Sequence, residues 1–182
     1  MRIVAGKHRS RVLKTLKGND TRPTSDKVKE AVFSRIGPYF ETGIILDLFS
    51  GSGNIALEAL SRGFEKAIMV DKYDKAISII KTNVAMLKEE EKCEIWPFDY
   101  KKALSMCQQK KLKFDLIYLD PPYQFELTNE LVAKIGEYDL LKDNGVIISE
   151  SLNKETIKVY KPYFIDKQVS YGTTKVTYIR KD

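Results

Sequence analysis

The segment Asp120-Pro121-Pro122-Tyr123 is the part of this chain best equipped for chemistry. It joins a carboxylate, a backbone carbonyl that two prolines keep out of any helix or central strand, and an aromatic ring. A planar base with an exocyclic amino group needs those three things: acceptors for its two N–H groups and a face on which to stack. The alternative is an ordinary exposed turn. Three more carboxylates, Asp47, Asp71 and Asp99, each follow an apolar run. If those runs are neighbouring strands, all four gather in one cleft. Their mutual repulsion then favours a ligand that is cationic or rich in hydrogen-bond donors. Taken singly, each aspartate is also a natural cap for the helix that follows it.

The elements that must position these groups are legible from periodicity. Residues 113–119 are apolar and β-rich, so the proline turn falls at the carboxyl edge of a sheet, where open α/β sheets bind their ligands. Residues 43–49 read as a fully buried strand, 50–53 as a glycine-rich turn, and 54–62 as a helix ending near Gly63. Strands at 67–70 and 93–96 alternate with helices at 73–87 and 100–107, then a helix at 127–135 leads to a strand at 145–149. Upstream, Thr24 or Ser25 caps a helix through about Phe40, with Val28, Ala31, Val32, Phe33 and Ile36 as its buried stripe. Residues 164–170 and 175–180 flank Tyr171-Gly172-Thr173-Thr174 as an antiparallel hairpin. The fold class is therefore α/β: a Rossmann-like, mostly parallel sheet covered on both faces, its last strand inserted antiparallel. Periodicity does not fix the strand order.

The glycine turn Asp47-Leu48-Phe49-Ser50-Gly51-Ser52-Gly53-Asn54-Ile55-Ala56 lets backbone approach a ligand closely and puts free N–H groups behind it. Gly51-x-Gly53-x-x-Ala56 also satisfies the loose dinucleotide pattern, so NAD competes as the ligand. Asp47, four residues before Gly51, repels a pyrophosphate and suits a sulfonium or an amino group. Asp71, followed by Lys72, could meet the ribose of either cofactor. Asp99 lies within Pro97-Phe98-Asp99-Tyr100, an acceptor between aromatic rings where an adenine amino group could lie. S-adenosylmethionine offers a sulfonium, an ammonium, a diol and that amino group together. Its expected contacts are Asp47, Phe49, Gly51, Gly53, Asp71, Lys72, Phe98, Asp99 and Tyr100.

At 182 residues, 43% apolar and 31% charged, the chain has the length and composition of one globular domain. Two cysteines, Cys93 and Cys107, are too few for a disulfide scaffold or a zinc site. A single histidine, His8, makes a protein-ligated metal an unpromising reading, and none is expected. No apolar run reaches the ~20 residues that span a bilayer, and residues 1–7 lack a signal-peptide core; a cytoplasmic monomer is expected. Charge is uneven. Residues 1–29 carry nine Lys/Arg against Asp20 and Asp26, a balance of +7, while the whole chain carries +6, leaving −1 for the rest. Such asymmetry suits a polyanion partner, or else a solvated tail. Apolar residues on either side of 6–10 suggest a β-hairpin arm displaying Lys7, His8, Arg9 and Arg11.

With these residues assembled, the chain resembles bacterial small-subunit (16S) rRNA guanine-N2 methyltransferases. The resemblance runs through Arg2-Ile3-Val4-Ala5-Gly6, the segment from Thr21-Arg22-Pro23-Thr24-Ser25 to Phe33, the glycine turn, Asp120 to Tyr123 and Tyr171 to Thr174. Ser50 and Asn54 depart from residues frequent in the family. The resemblance implies a seven-stranded class I methyltransferase fold over residues 21–182 behind a basic arm, residues 1–20. It implies S-adenosylmethionine as donor and a guanine of 16S rRNA, within assembling small subunits, as acceptor. It also implies Asp120, Pro121, Pro122 and Tyr123 as catalytic residues, with Arg22, Thr24 and Ser25 at the cleft mouth. A DNA amino-methyltransferase, an adenine-N6 enzyme, an NAD-dependent oxidoreductase and a non-catalytic RNA-binding module are the competing readings.

Overall fold

The computed structural model describes residues 1–15, 26–122 and 127–182. Arg22, Thr24, Ser25 and Tyr123, and with them the expected cap of the first helix, lie outside the described residues. Strands β1 (Ile44–Asp47), β2 (Lys66–Val70), β3 (Cys93–Trp96), β4 (Phe114–Leu119), β5 (Leu141–Leu152), β6 (Tyr163–Tyr171) and β7 (Thr174–Lys181) form one sheet. Its order is β3-β2-β1-β4-β5-β7-β6. The first five strands are parallel, and β7 enters antiparallel between β5 and β6. Between them run α1 (Asp26–Ile36), α2 (Asn54–Ser61), α3 (Asp74–Leu87), α4 (Tyr100–Gln109) and α5 (Leu127–Glu137).

The central strands are apolar along their whole length because helices cover both faces. Ile45, Met69, Leu116, Tyr118, Ile148 and Tyr178 point to one side, where α1, α2 and α3 pack with Ile3 and Leu13. Leu46, Ile68, Ile117, Leu119, Ile147 and Ile179 point to the other, against α4 and α5. After β1 the chain crosses to β2, and after β4 to β5 on the opposite side. The loops leaving β1 and β4 therefore diverge, and a crevice opens between them at the carboxyl edge.

Three expectations need correction. Helix α1 stops at Ile36, not near Phe40, because Gly37 takes a φ of 138° and Pro38 follows. Within it, Lys29 is fully buried while Ala31 and Ile36 are only half-buried. Strand β5 runs on past Ser149 to Leu152, because Glu150, Ser151 and Leu152 keep pairing with β7. The arm is a short antiparallel hairpin, as expected: Arg2 bridges Val12, and the Ile3 N–H donates to the Arg11 carbonyl (2.9 Å), the Ser10 N–H to the Ile3 carbonyl (2.8 Å) and the Leu13 N–H to the Met1 carbonyl (3.0 Å), while the Val4 and Ala5 N–H groups donate to Glu58. Among the described residues, no helix is long and apolar enough to cross a membrane.

Candidate active site

Three adjacent strands each deliver one carboxylate to the crevice. Asp47 ends β1 level with Tyr118 of β4, and Tyr118 is level with Ile148 of β5. Side chains return to the same face every second residue, so Asp120 and Glu150 lie on the face of Asp47. Asp47 is 2% exposed. Burial, opposed by the Ala56 N–H and reinforced by Asp71 and Glu150, pushes its carboxyl up to about 7. Its Oδ2 has no hydrogen-bond partner among the described residues. Burial, then the charges of Glu150 and Asp47, hold the Asp120 carboxyl well above the usual carboxylate range. Glu150 is itself buried and accepts a hydrogen bond from the Tyr118 hydroxyl.

The glycine turn is fastened to both neighbouring strands. The Leu48 N–H donates to the Tyr118 carbonyl (3.2 Å) and the Ser50 N–H to the Val70 carbonyl (2.9 Å). The Ser50 hydroxyl donates to the Asp47 carbonyl (2.7 Å) and accepts from the Val70 N–H (3.1 Å). Gly53, at φ 78°, closes the turn with an N–H to the Ser50 carbonyl (2.7 Å) and starts α2. A Cβ at Gly53 would lie 3.1 Å from Met69 Sδ, whereas one at Gly51 would meet nothing within 4 Å. That clear space and the unpartnered Asp47 oxygen fit a ligand that donates hydrogen bonds or carries positive charge.

Asp71 faces the same turn. Its Oδ2 accepts the Gly51 N–H (2.9 Å) and its Oδ1 the Tyr73 N–H (3.0 Å), which leaves lone pairs for a diol. Burial pushes its carboxyl up, against the Tyr73, Gly51 and Lys72 N–H groups and the Lys72 charge. Asp99 caps α4, accepting the Lys102 N–H at 2.9 Å, so one of its oxygens is engaged by the helix. Phe49 and Tyr100 stand with ring centroids 6.0 Å apart. The Lys102 ammonium covers Phe98 at 3.8 Å, and Lys72 lies over Tyr73 at 5.0 Å. Pro121 is buried and Pro122 exposed.

The basic residues of the arm are elsewhere. The Lys7 N–H donates to the Ser61 carbonyl (2.9 Å) and the His8 N–H to Ser61 Oγ (3.0 Å). Ser61 ends α2, at the sheet edge opposite the crevice. Lys7 and His8 both contact the Glu89 carboxylate, while Arg9 and Arg11 are exposed. Lys7 and Arg9 line an open groove of about 630 Å³ with Tyr39, Arg62 and Lys92. The crevice thus gathers Asp47, Gly51, Gly53, Asp71 and Asp120, and it does not gather Lys7, His8, Arg9 or Arg11.

Two further residues belong to the crevice. Glu150 stands one residue past the strand predicted to end at Ser149, although Ser149-Glu150-Ser151 places a charge directly after a buried run. Tyr118 reads as strand filling, although it precedes Asp120 by two and so shares its face. Among the described residues, no group of three or more His, Cys, Asp or Glu side chains is arranged to hold a metal ion.

The sequence pattern of the family described as Conserved hypothetical protein 95 matches residues 1–180. The chain belongs to that family. Within reach of it is the Putative rRNA methyltransferase YlbH of Bacillus subtilis, 39% identical over 182 residues, all of this chain and 99% of the other. The Ribosomal RNA small subunit methyltransferase D of Haemophilus influenzae is 34% identical over 155 residues, 83% of this chain and 78% of its own. Among solved structures, the putative methyltransferase yhhF of Escherichia coli superposes with a TM-score of 0.85 at 25% identity, covering 100% of this chain and 98% of its own. A putative methyltransferase complexed with SAH shares the fold alone, with a TM-score of 0.68 at 14% identity over 83% of this chain and 48% of its own. The Conserved hypothetical protein 95 family thus brings this chain a Rossmann-like methyltransferase fold.

Proposed function

We propose that this chain transfers a methyl group from S-adenosylmethionine to the exocyclic N2 amino group of a guanine in small-subunit (16S) ribosomal RNA. One observation carries the reading: Asp120 stands across the β1–β4 crevice from a glycine turn whose own Asp47 carries a buried oxygen with no hydrogen-bond partner among the described residues. An acidic, desolvated crevice of that kind repels a pyrophosphate, which argues against NAD, and suits a cationic donor. The names of the relatives support RNA as the acceptor.

S-adenosylmethionine supplies an electrophilic methyl group on a positively charged sulfur. Gly51 and Gly53 give the closest backbone approach, Asp47 the counter-charge, and Asp71 the acceptors for the ribose. Phe49, Phe98 and Tyr100, with Asp99 and Lys72, are assigned to the adenosine end. Asp120 and the Pro121 carbonyl accept the two N–H bonds of guanine N2. That nitrogen is a weak nucleophile because its lone pair is delocalised into the ring. Fixing both hydrogens favours a pyramidal nitrogen with the lone pair aimed at the methyl carbon. The rate then comes from positioning and electrostatics rather than from a covalent step. Tyr123 is assigned the stacking role, worth about 1–3 kcal/mol. Because the base must leave its stack, a loop is favoured over a duplex. We read residues 21–182 as the catalytic domain and residues 1–20 as its RNA-contacting arm, with Arg22, Thr24 and Ser25 at the cleft mouth.

Tritium transfer from labelled S-adenosylmethionine into deproteinised 16S RNA and into small-subunit particles, followed by mapping of the labelled nucleotide, tests this directly. Label on guanine N2 is expected in at least one of the two substrates. Asp120→Asn is expected to abolish most turnover while cofactor affinity stays within a few-fold. Label in neither substrate, or a fully active Asp120→Asn, would sink the reading.

A further inference from the structure

Glu150 is a buried carboxylate that neither the cofactor nor the base requires. It lies on β5, directly beside the strand that carries Asp120, and the Tyr118 hydroxyl fixes it from the same face. Asp47 stands on the other side of Asp120 with a buried oxygen that has no partner among the described residues, so three carboxylates converge at this edge of the sheet. We infer that Glu150, held by Tyr118, is a positioning residue that makes Asp120, rather than water, the acceptor of the proton released by the methylated amine. This rests on the methyl-transfer reading above.

As the nitrogen–methyl bond forms and the sulfur–methyl bond breaks, the electron pair of the broken bond returns to sulfur, which becomes a neutral thioether. The N–H bonding pair stays on nitrogen, and the proton passes to Asp120. An isolated exposed carboxylate holds a proton weakly near neutral pH. A neighbouring anion in a desolvated site raises that affinity. Burial, Glu150 and Asp47 act on Asp120 in that sense and in that order. Among the described residues, the titratable and charged groups on this face include Tyr118, Asp120, Asp47, Asp71, whose charge acts on Asp47, Tyr178 of β7 with Tyr171 acting on it, Arg35 lying 5.1 Å over the Tyr178 ring, and Lys29 and Arg62, which both pair with Glu58. A substitution at Glu150 therefore acts on Asp120, where it is the leading charge, and also on Asp47, where it is the last of the causes.

Two measurements test this in wild type, Glu150→Gln and Glu150→Asp. The first is the titration midpoint of the Asp120 carboxyl in cofactor-free protein, read by carbon NMR and assigned with Asp120→Asn. The second is the pH profile of methyl transfer to small-subunit RNA. In Glu150→Gln the midpoint is expected to fall by about one pH unit or more. The acid limb of kcat should follow it, and kcat on the plateau should drop on the order of tenfold with KM unchanged. Glu150→Asp keeps the charge and is expected to restore most of both. An unmoved midpoint in Glu150→Gln, or a Glu150→Asp no better than Glu150→Gln, overturns the inference while leaving methyl transfer standing. A wild-type protein that methylates no RNA overturns the functional reading, and the inference with it. Should Glu150→Gln not fold, Tyr118→Phe takes its place, and an unchanged acid limb there overturns the proposal equally.

Discussion

The Lys29 ammonium lies 3.2 Å from the Glu58 carboxylate, and neither side chain has any exposed surface. Lys29 also donates to Asn54 Oδ1 (2.6 Å) and to the Arg2 carbonyl (2.5 Å). Glu58 accepts the Val4 N–H (2.7 Å), the Ala5 N–H (3.0 Å) and Arg62 Nε (2.7 Å). One buried ion pair therefore joins the arm, α1 and the first residue after the glycine turn. Burial pushes the Lys29 pKa down and Glu58 opposes it, so the ammonium depends on its partner.

Lys29→Met is expected to destabilise the fold by about 1.5–3 kcal/mol, since it removes one of the two buried cations paired with Glu58, leaving Arg62, and takes the donor from the Asn54 and Arg2 oxygens. Urea unfolding followed by circular dichroism checks this. A second change, Glu58→Leu, is not expected to restore stability, because the Val4 and Ala5 N–H groups and Arg62 would lose their acceptor. Recovery to the wild-type midpoint would contradict that.

Asp47 gives stability a pH dependence of definite sign. Its carboxyl is raised from 3.8 to about 7, so between those values the folded chain holds a proton that the unfolded chain has released. Its contribution is complete below about pH 4 and is lost as pH rises through about 7. Each pH unit of separation is worth about 1.4 kcal/mol. Asp47→Asn should thus make the cofactor-free protein more stable at pH 8 than wild type, by some kcal/mol, and flatten the profile. Calorimetry should show the same variant binding S-adenosylmethionine at least tenfold more weakly. Equal unfolding midpoints at pH 8 would contradict the first half.

Two glycines should respond oppositely to alanine. At Gly51, φ 54°, the new Cβ meets nothing within 4 Å, so Gly51→Ala pays only left-handed strain of about 1–2 kcal/mol yet narrows the proposed cofactor space. At Gly63, φ 115°, it would lie 1.9 Å from the Phe40 carbonyl. We expect Gly51→Ala to fold and bind cofactor poorly, and Gly63→Ala to fold poorly. Thermal melts with and without S-adenosylmethionine separate the two.

The arm's electrostatic role cannot be tested by removing residues 1–20, because Ile3 and Leu13 are part of the core. Arg9 and Arg11 are exposed and make better targets. Replacing both by alanine is expected to weaken binding to small-subunit RNA and to reduce the slope of log K against log salt by about 1–2. A slope identical to wild type would return them to the role of solvating charge.

Much of this was legible before coordinates. Buried strands announce themselves as apolar runs, and the turns after β1 and β4 carry glycines and prolines that no regular element tolerates, so Asp47, Asp71 and Asp120 could be placed at one edge. The inserted β7 was legible from Tyr171-Gly172-Thr173-Thr174, whose hairpin fixes an antiparallel pair. What was hidden depends on contacts between distant segments. Lys29 reads as a wet helix residue until Glu58, 29 residues away, is seen beside it. Lys7 and His8 look poised for the cleft until Ser61 and Glu89 are seen to hold them at the far edge. Glu150 lacks any turn or glycine to mark it, and only the pairing of β5 with β4 brings it beside Asp120.

Asn83 holds two parts of the protein in one amide. Its Nδ2 donates to the Ser52 carbonyl (2.9 Å) and to the Lys14 carbonyl (3.0 Å), and its Oδ1 accepts the Lys14 N–H (2.9 Å). The glycine turn after β1 and the chain leading into the arm therefore share a single rivet. Any shift of one pulls on the other without passing through the sheet.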